Sequence, residues 1–213
     1  MSERYNVEVE DVLGENYKIT NIECSDYNPS IEGNITVTIT VTDVYGDAIS
    51  DESVTVTASE GNFTQLNGSD ITAASSVTGT TNSSGQFTLT YNCSSWGLIT
   101  FTANNKTTQV NVTGFKQVKS YASGFYTLSV DGSKRLAKLR VSISGANIAS
   151  GESYKQTGFV PTSYRPNGQI IALVNRVQSV DVQITSAGDV AIYNPTSSTV
   201  SSFTGTANAY WDY

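Results

Sequence analysis

Between Asn34 and Thr42 the chain reads Asn-Ile-Thr-Val-Thr-Ile-Thr-Val-Thr. Ile35, Val37, Ile39 and Val41 take every second position, and Thr36, Thr38, Thr40 and Thr42 lie between them. A pleated strand sends successive side chains to opposite faces, so this stretch can bury one face and wet the other. A helix would scatter the same residues around its circumference. Threonine is β-branched and polar, so it favours the strand while tolerating water on its outer face. The pattern therefore demands an antiparallel sheet with one solvated side.

The same period recurs along the chain. Residues 17–24, 53–58, 86–91, 97–103 and 107–113 each alternate, with breaks at Asn28-Pro29, residues 43–47, Gly61, Asn67-Gly68 and residues 82–85. About seven short strands within roughly 100 residues describe an Ig-like β-sandwich over residues 17–114. Residues 1–16 are acidic and read as a connector. Alternation restarts at residues 125–130 and continues through Leu139, Val141 and Ile143, then residues 170–174. In residues 177–193, Val180, Val182 and Ile184 alternate with polar residues, and Gly188 supplies a turn before Val190 and Ile192. This is a β-hairpin whose apolar face needs a cover. A last strand ends in Ala209-Tyr210-Trp211-Asp212-Tyr213. The expectation is an all-β chain, with a jelly-roll-like β-sandwich over residues 115–213 behind the first sandwich and a basic, polar bridge at residues 116–123.

Charge marks the same division. Residues 1–113 hold 14 acidic and 3 basic side chains, a net of -11, whereas residues 114–213 hold 5 and 9, a net of +4. A sign change at one point fits a domain boundary, with solvated surfaces as the plain explanation of each half. The first residues lack the basic and apolar regions of a signal peptide, which leads to the expectation of cytoplasmic assembly or excision from something larger. Membrane insertion is not expected, because no apolar run is long enough. Seven Asn-X-Ser/Thr triplets, at Asn34, Asn62, Asn67, Asn82, Asn92, Asn105 and Asn111, are what a Ser- and Thr-rich chain produces by chance.

Catalysis has little to work with. The chain contains no histidine, so the usual general base and commonest zinc ligand are missing, and no serine has an activating partner. Asp181 and Asp189 flank the hairpin, but turn carboxylates are ordinary. Asp43, Asp47, Asp51 and Glu52 have the oxygen chemistry of a calcium site, although solvated turn charge is the favoured explanation. No enzyme activity, cofactor or metal is expected. Cys24 and Cys93 sit near strand ends in the first domain, leaving open either a disulfide or two reduced thiols. The nine basic residues of the second half form no dense cluster, so nucleic acid is not an expected partner.

Two resemblances add to this reading. Val41-Thr42-Asp43, Gly46, Val54, Val56, Asn82, Gly85, Phe87 and Trp96-Gly97 form a pattern similar to bacterial Ig-like domains of the invasin type. That resemblance covers roughly residues 17–113 and implies a spacer or display module. In the second half, Pro161, then Tyr164-Arg165-Pro166, the hairpin and the closing aromatic strand resemble the C-terminal head of phage tail-fibre and baseplate receptor-binding proteins. The implied protein is a homotrimer on a virion, assembled with other tail or baseplate proteins and binding a host cell-surface glycan. Val190, Ile192 and Trp211 are then candidates for burial between chains. The alternative is a cellular surface adhesin or a carbohydrate-binding accessory module located at the cell surface.

Sugars are recognised by flat aromatic faces with a few fixed polar groups. Trp211 offers the largest such face, and Arg165, held beside Pro166, a fork of donors. Tyr164, Tyr193, Asn194 and Tyr154 complete the candidate set. Each of the six also suits core or interface packing.

Overall fold

The computed structural model describes residues 18–121, 125–151, 153–175 and 180–213, with the side chains of residues 153 and 173–175 left aside. The expected connector at residues 1–16 lies outside them, as do residues 177–179 at the head of the hairpin stretch and the end of the expected bridge, 122–123. The chain divides into two compact units, Met1–Thr113 and Gly114–Tyr213. Among the described residues all regular structure is strand, apart from a 3-10 turn at Thr162–Tyr164.

The first unit holds β1 (Ile19–Cys24), β2 (Asn34–Thr42), β3 (Ser53–Ala58), β4 (Asn62–Leu66), β5 (Ser69–Ala74), β6 (Ser76–Thr80), β7 (Gln86–Asn92), β8 (Gly97–Ala103) and β9 (Lys106–Val112). One sheet runs β1-β2-β7-β4-β5 and the other β6-β3-β8-β9. Without β5 and β6, this is the A-B-E-D over C-F-G order of an immunoglobulin-type sandwich. Ser30 adds a parallel bridge to Thr113, where the Ile31 N–H donates to the Thr113 carbonyl at 2.7 Å and the Thr113 N–H to Pro29 at 3.0 Å.

The alternation in β2 explains the core. Val37, Ile39 and Val41 are fully buried, while the threonines between them remain partly or wholly in water. Opposite β2, Phe87, Leu89 and Tyr91 of β7 point the same way. Phe63, Tyr91 and Phe101 meet edge to face or tilted, with ring centres 4.9 to 5.8 Å apart. The Tyr91 hydroxyl donates to the Glu60 carbonyl at 2.7 Å, so its polar tip is satisfied. Gly79 lies under Phe87, whose ring would come within 2.4 Å of any added Cβ. Cys24 and Cys93 are both buried free thiols, so no disulfide is formed. Burial pushes the Cys24 thiol up to about 11 and also raises Cys93, with Asp26 adding to the latter.

The hairpin β4–β5 was not expected from the sequence. It turns on Asn67 and Gly68, both at positive φ (48° and 76°), the geometry of a two-residue hairpin turn. β5 lies mostly in water, so its sequence carries no alternation to read.

The second unit contains β10 (Lys116–Tyr121), β11 (Tyr126–Asp131), β12 (Leu136–Ile148), β13 (Ser153–Gln156), β14 (Ile170–Asn175), β15 (Val180–Ile184), β16 (Val190–Tyr193) and β17 (Val200–Asp212). Its sheets run β10-β11-β12-β17 and β13-β16-β15-β14. The pairs β12–β17, β13–β16 and β14–β15 nest in the jelly-roll manner, while β10 and β11 extend one sheet as a meander. The expected bridge at residues 116–123 is strand over 116–121, paired with β11, because a polar edge strand needs no apolar face of its own. Beyond Ile143, where the sequence alternation ends, β12 continues as far as Ile148, passing two register shifts against β17. Gly188 adopts φ 83° in the β15–β16 turn, and a Cβ there would lie 2.4 Å from the Val160 carbonyl oxygen. The Val160 N–H donates to the Gly188 carbonyl at 2.9 Å, seating the segment before the 3-10 turn on the hairpin.

Replacing Phe101 by Ala should destabilise the first unit by about 3–5 kcal/mol, the range for emptying a buried aromatic site. Tyr91→Phe should cost only about 1 kcal/mol, the value of one hydrogen bond. Equilibrium denaturation of both variants against the parent chain measures each.

Candidate functional site

The six candidate residues fall into three environments. The first surrounds the end of β17. Alternation there sends Ala207, Ala209 and Trp211 inward, and Trp211 is only 5% exposed. Its indole N–H donates to the Tyr164 carbonyl at 2.7 Å. This corrects the expectation that Trp211 forms a stacking surface: its flat face is spent on the core. Tyr164 is half-buried, and its ring meets Tyr213 edge-on at 5.0 Å. Arg165 is also half-buried, with Nε donating to the Val160 carbonyl at 3.2 Å. Tyr164 and Arg165 thus anchor the crossing segment against the last strand.

The second environment is the loop after β16. Asn194 is fully buried, and its amide donates to the carbonyls of Ile148 (2.8 Å) and Ser198 (2.9 Å). Its Oδ1 accepts from the Thr196 N–H and hydroxyl. Every bonding position of the side chain is committed, so Asn194 ties loops together and offers nothing to a ligand; this too is a correction. Tyr193 is half-buried on β16, opposite Ser153 and Asp181.

Tyr154 belongs to the third environment. It is 49% exposed on β13, facing the opposite side of the sheet from Tyr193, and its hydroxyl donates to the Asn147 carbonyl at 2.9 Å. Around it Tyr121, Phe125, Tyr126, Lys155 and Gln156 line a cleft of about 260 Å³. β10 and β13 are edge strands of their respective sheets, so the cleft opens where the two layers end. Tyr126 forms its floor: fully buried, it packs edge-on to Phe125 at 4.8 Å and tilted against Phe159 at 5.7 Å. Its hydroxyl donates to the Tyr154 carbonyl at 2.9 Å, holding β13 to the opposite sheet. Desolvation raises the pKa of that phenol well above the usual tyrosine range, so it stays a neutral donor.

The polar rim is also fixed. Lys155 Nζ lies 2.7 Å from Asp189 Oδ2, and Asp189 Oδ1 accepts from the Gly158 N–H at 2.8 Å. The bond from Lys155, then that from Gly158, hold the Asp189 carboxyl below its ordinary value. Asp189 lies opposite Thr185, four residues along the strand from Asp181, on the order of 13 Å at the rise of a strand. Glycosidase carboxylate pairs stand about 5–9.5 Å apart, so the two do not have that spacing. Asp43 accepts the Tyr45 and Asp47 N–H groups, the geometry of a turn. Among the described residues no three His, Cys, Asp or Glu side chains gather as a metal site.

Only Tyr154 of the six candidates stands at the cleft. Tyr121, Phe125 and Tyr126 were missed, although their signal was present: three aromatics within six residues flank Ala122-Ser123-Gly124.

No family model and no curated protein matches the chain. Among solved structures it is similar to the adhesin InvE of Yersinia pseudotuberculosis, at 12% identity and a TM-score of 0.34 over 90% of this chain and 58% of that one. The chain therefore spans little more than half the length of that protein. It is also similar to the D0-D1 domain of intimin (17% identity, TM-score 0.32, 84% and 87% covered) and to the collagen adhesin CNA of S. aureus (13%, 0.31, 91% and 80%).

The Asp189 clamp yields a signed pH dependence. A carboxyl with a lowered folded pKa contributes stability above its unfolded value and loses it as pH falls through the folded one. Asp189→Asn should therefore be less stable than the parent at neutral pH, and the gap should close on acidification below the ordinary carboxylate range. Denaturation midpoints of both proteins across acid pH report it.

Proposed function

We propose that the chain is an attachment module in which the second unit binds a host cell-surface glycan and the first serves as spacer. The observation that carries this reading is the cleft at the open edge of the second sandwich. Its walls are aromatic, its polar groups are few and fixed, and its volume suits one or two sugar rings. Tyr121 and Tyr154 are 44% and 49% exposed, large aromatic faces left in water by a fold that buries comparable residues elsewhere. Such faces stack on the C–H surface of a pyranose, while Lys155 and Gln156 supply donors.

The module fits a surface adhesin or a carbohydrate-binding accessory unit displayed at the cell surface. A phage receptor-binding head would use the same cleft, and the Pro161 to Pro166 crossing with its seated hairpin is the feature that favours that second reading. The two differ in assembly: the phage head is a homotrimer joined to other tail proteins, whereas the adhesin acts within a longer exported chain. Sedimentation of the intact chain at micromolar concentration separates them. Single-site affinity should be weak, because a shallow sugar site makes few apolar contacts, and firm attachment then comes from many copies.

A glycan array probed with the intact chain should give a signal for at least one surface glycan. Tyr154→Ala and Tyr121→Ala should weaken it about tenfold each, the loss of roughly 1.4 kcal/mol. Trp211→Phe should leave binding intact while lowering stability, since it removes a buried donor. Absence of signal for every glycan would overturn the function. Unchanged binding by both tyrosine variants would overturn the site.

A further inference from the structure

The outer face of the β10-β11-β12-β17 sheet carries a second aromatic surface. Such a face should be polar, as most of its other described members are, among them Ser129 and Thr127 on β11 and Thr206 and Asn208 on β17. Yet Tyr210 is 51% exposed there and Phe115, just before β10, is 40% exposed. Their rings meet at 6.3 Å and 65°. Lys138 stands opposite Tyr210 on β12, with its ammonium 5.6 Å from the Tyr210 ring centre and 5.9 Å from that of Phe115. Arg140 follows two residues on, opposite Asn208, and is exposed with no ion-pair partner among the described residues. Among the described residues two acids lie at the end of this face, Asp212, beyond Tyr210, and Asp131, which is buried and 3.8 Å from Lys134; neither makes an ion pair with Lys138 within 4 Å.

Two cations beside each other without a carboxylate, next to an aromatic platform and a primary amide, form a set lacking one component. The ring faces suit the C–H side of a sugar. The ammonium, the guanidinium fork and the Asn208 amide suit an anion held at the edge of that sugar. We propose that this face is a binding site for an acidic saccharide, with Lys138 and Arg140 meeting a sugar carboxylate and Tyr210 stacking on its ring. The net charge of +4 over residues 114–213 favours the same ligand. The site is separate from the cleft and does not depend on it.

Oligogalacturonate is the probe, with its methyl ester as the neutral control and inorganic polyphosphate as the anion without a sugar ring. Titrated into the intact isotope-labelled chain, oligogalacturonate should shift the amide signals of Lys138, Arg140, Asn208 and Tyr210, and do so less at high ionic strength. Lys138→Gln and Arg140→Gln should each weaken binding about tenfold, as loss of a charge-assisted contact does. Tyr210→Ala should weaken it similarly and Tyr210→Phe should not, since the phenyl face remains. Tyr154→Ala should leave it unchanged, which separates this site from the cleft. Three results would overturn the proposal: equal binding of the methyl ester, no shift at this face, or polyphosphate binding as well as the saccharide with Tyr210→Ala indifferent. Shifts at this face that grow with protein concentration alone would assign it instead to a second copy of the chain.

Discussion

A pleated sheet that buries one face must supply a partner for every polar atom it carries inside, and in both sandwiches main-chain carbonyls do this for the buried aromatic and amide donors. Tyr91 donates to Glu60, Tyr126 to Tyr154, Trp211 to Tyr164, and Asn194 to Ile148 and Ser198. Among the described residues no buried side-chain nitrogen or oxygen lacks a partner. The large aromatic side chains can therefore contribute their apolar area without the penalty of an orphaned donor. The carbonyls of Glu60, Tyr154, Tyr164 and Ser198 belong to loops or an edge strand and that of Ile148 to the end of β12, so each bond also fixes where that segment lies.

The cleft follows from the same arrangement. Tyr126 reaches across to β13 and holds its backbone, which sets the two edge strands near each other without closing the space between them. Tyr121 and Tyr154 stay half in water because, among the described residues, no further strand covers that edge. The cleft made this way is defined by its shape and its aromatic lining.

The strands with strict alternation were legible to the residue: β2, β3 and β8 start and stop where their patterns do. β5 and β10 were not, because edge strands exposed on both sides have no apolar face to betray them. The candidate site was harder to read, and Trp211 shows why. Alternation placed Trp211 and Tyr213 on one face and Tyr210 and Asp212 on the other, but nothing in those four residues tells which face is dry. The answer lies across the sheet, where Ala137 leaves room for an indole and Lys138 does not. Asn194 was misleading for a related reason: a polar residue after a strand suggests a surface loop, and only the carbonyls of Ile148 and Ser198, remote or local, explain its burial.

The short parallel pairing of Ser30 with Thr113 bears on how the first unit would respond to tension. Pro29 to Ile31 and the end of β9 run side by side in the same direction and exchange two hydrogen bonds of 2.7 and 3.0 Å. Tension applied between the two ends of this unit draws these parallel segments along each other. The bonds are then loaded together in shear, whereas a hairpin pulled at its open end would unzip one rung at a time. Resistance of that kind lies in the order of the strands, and an anchored spacer would gain it without any covalent cross-link.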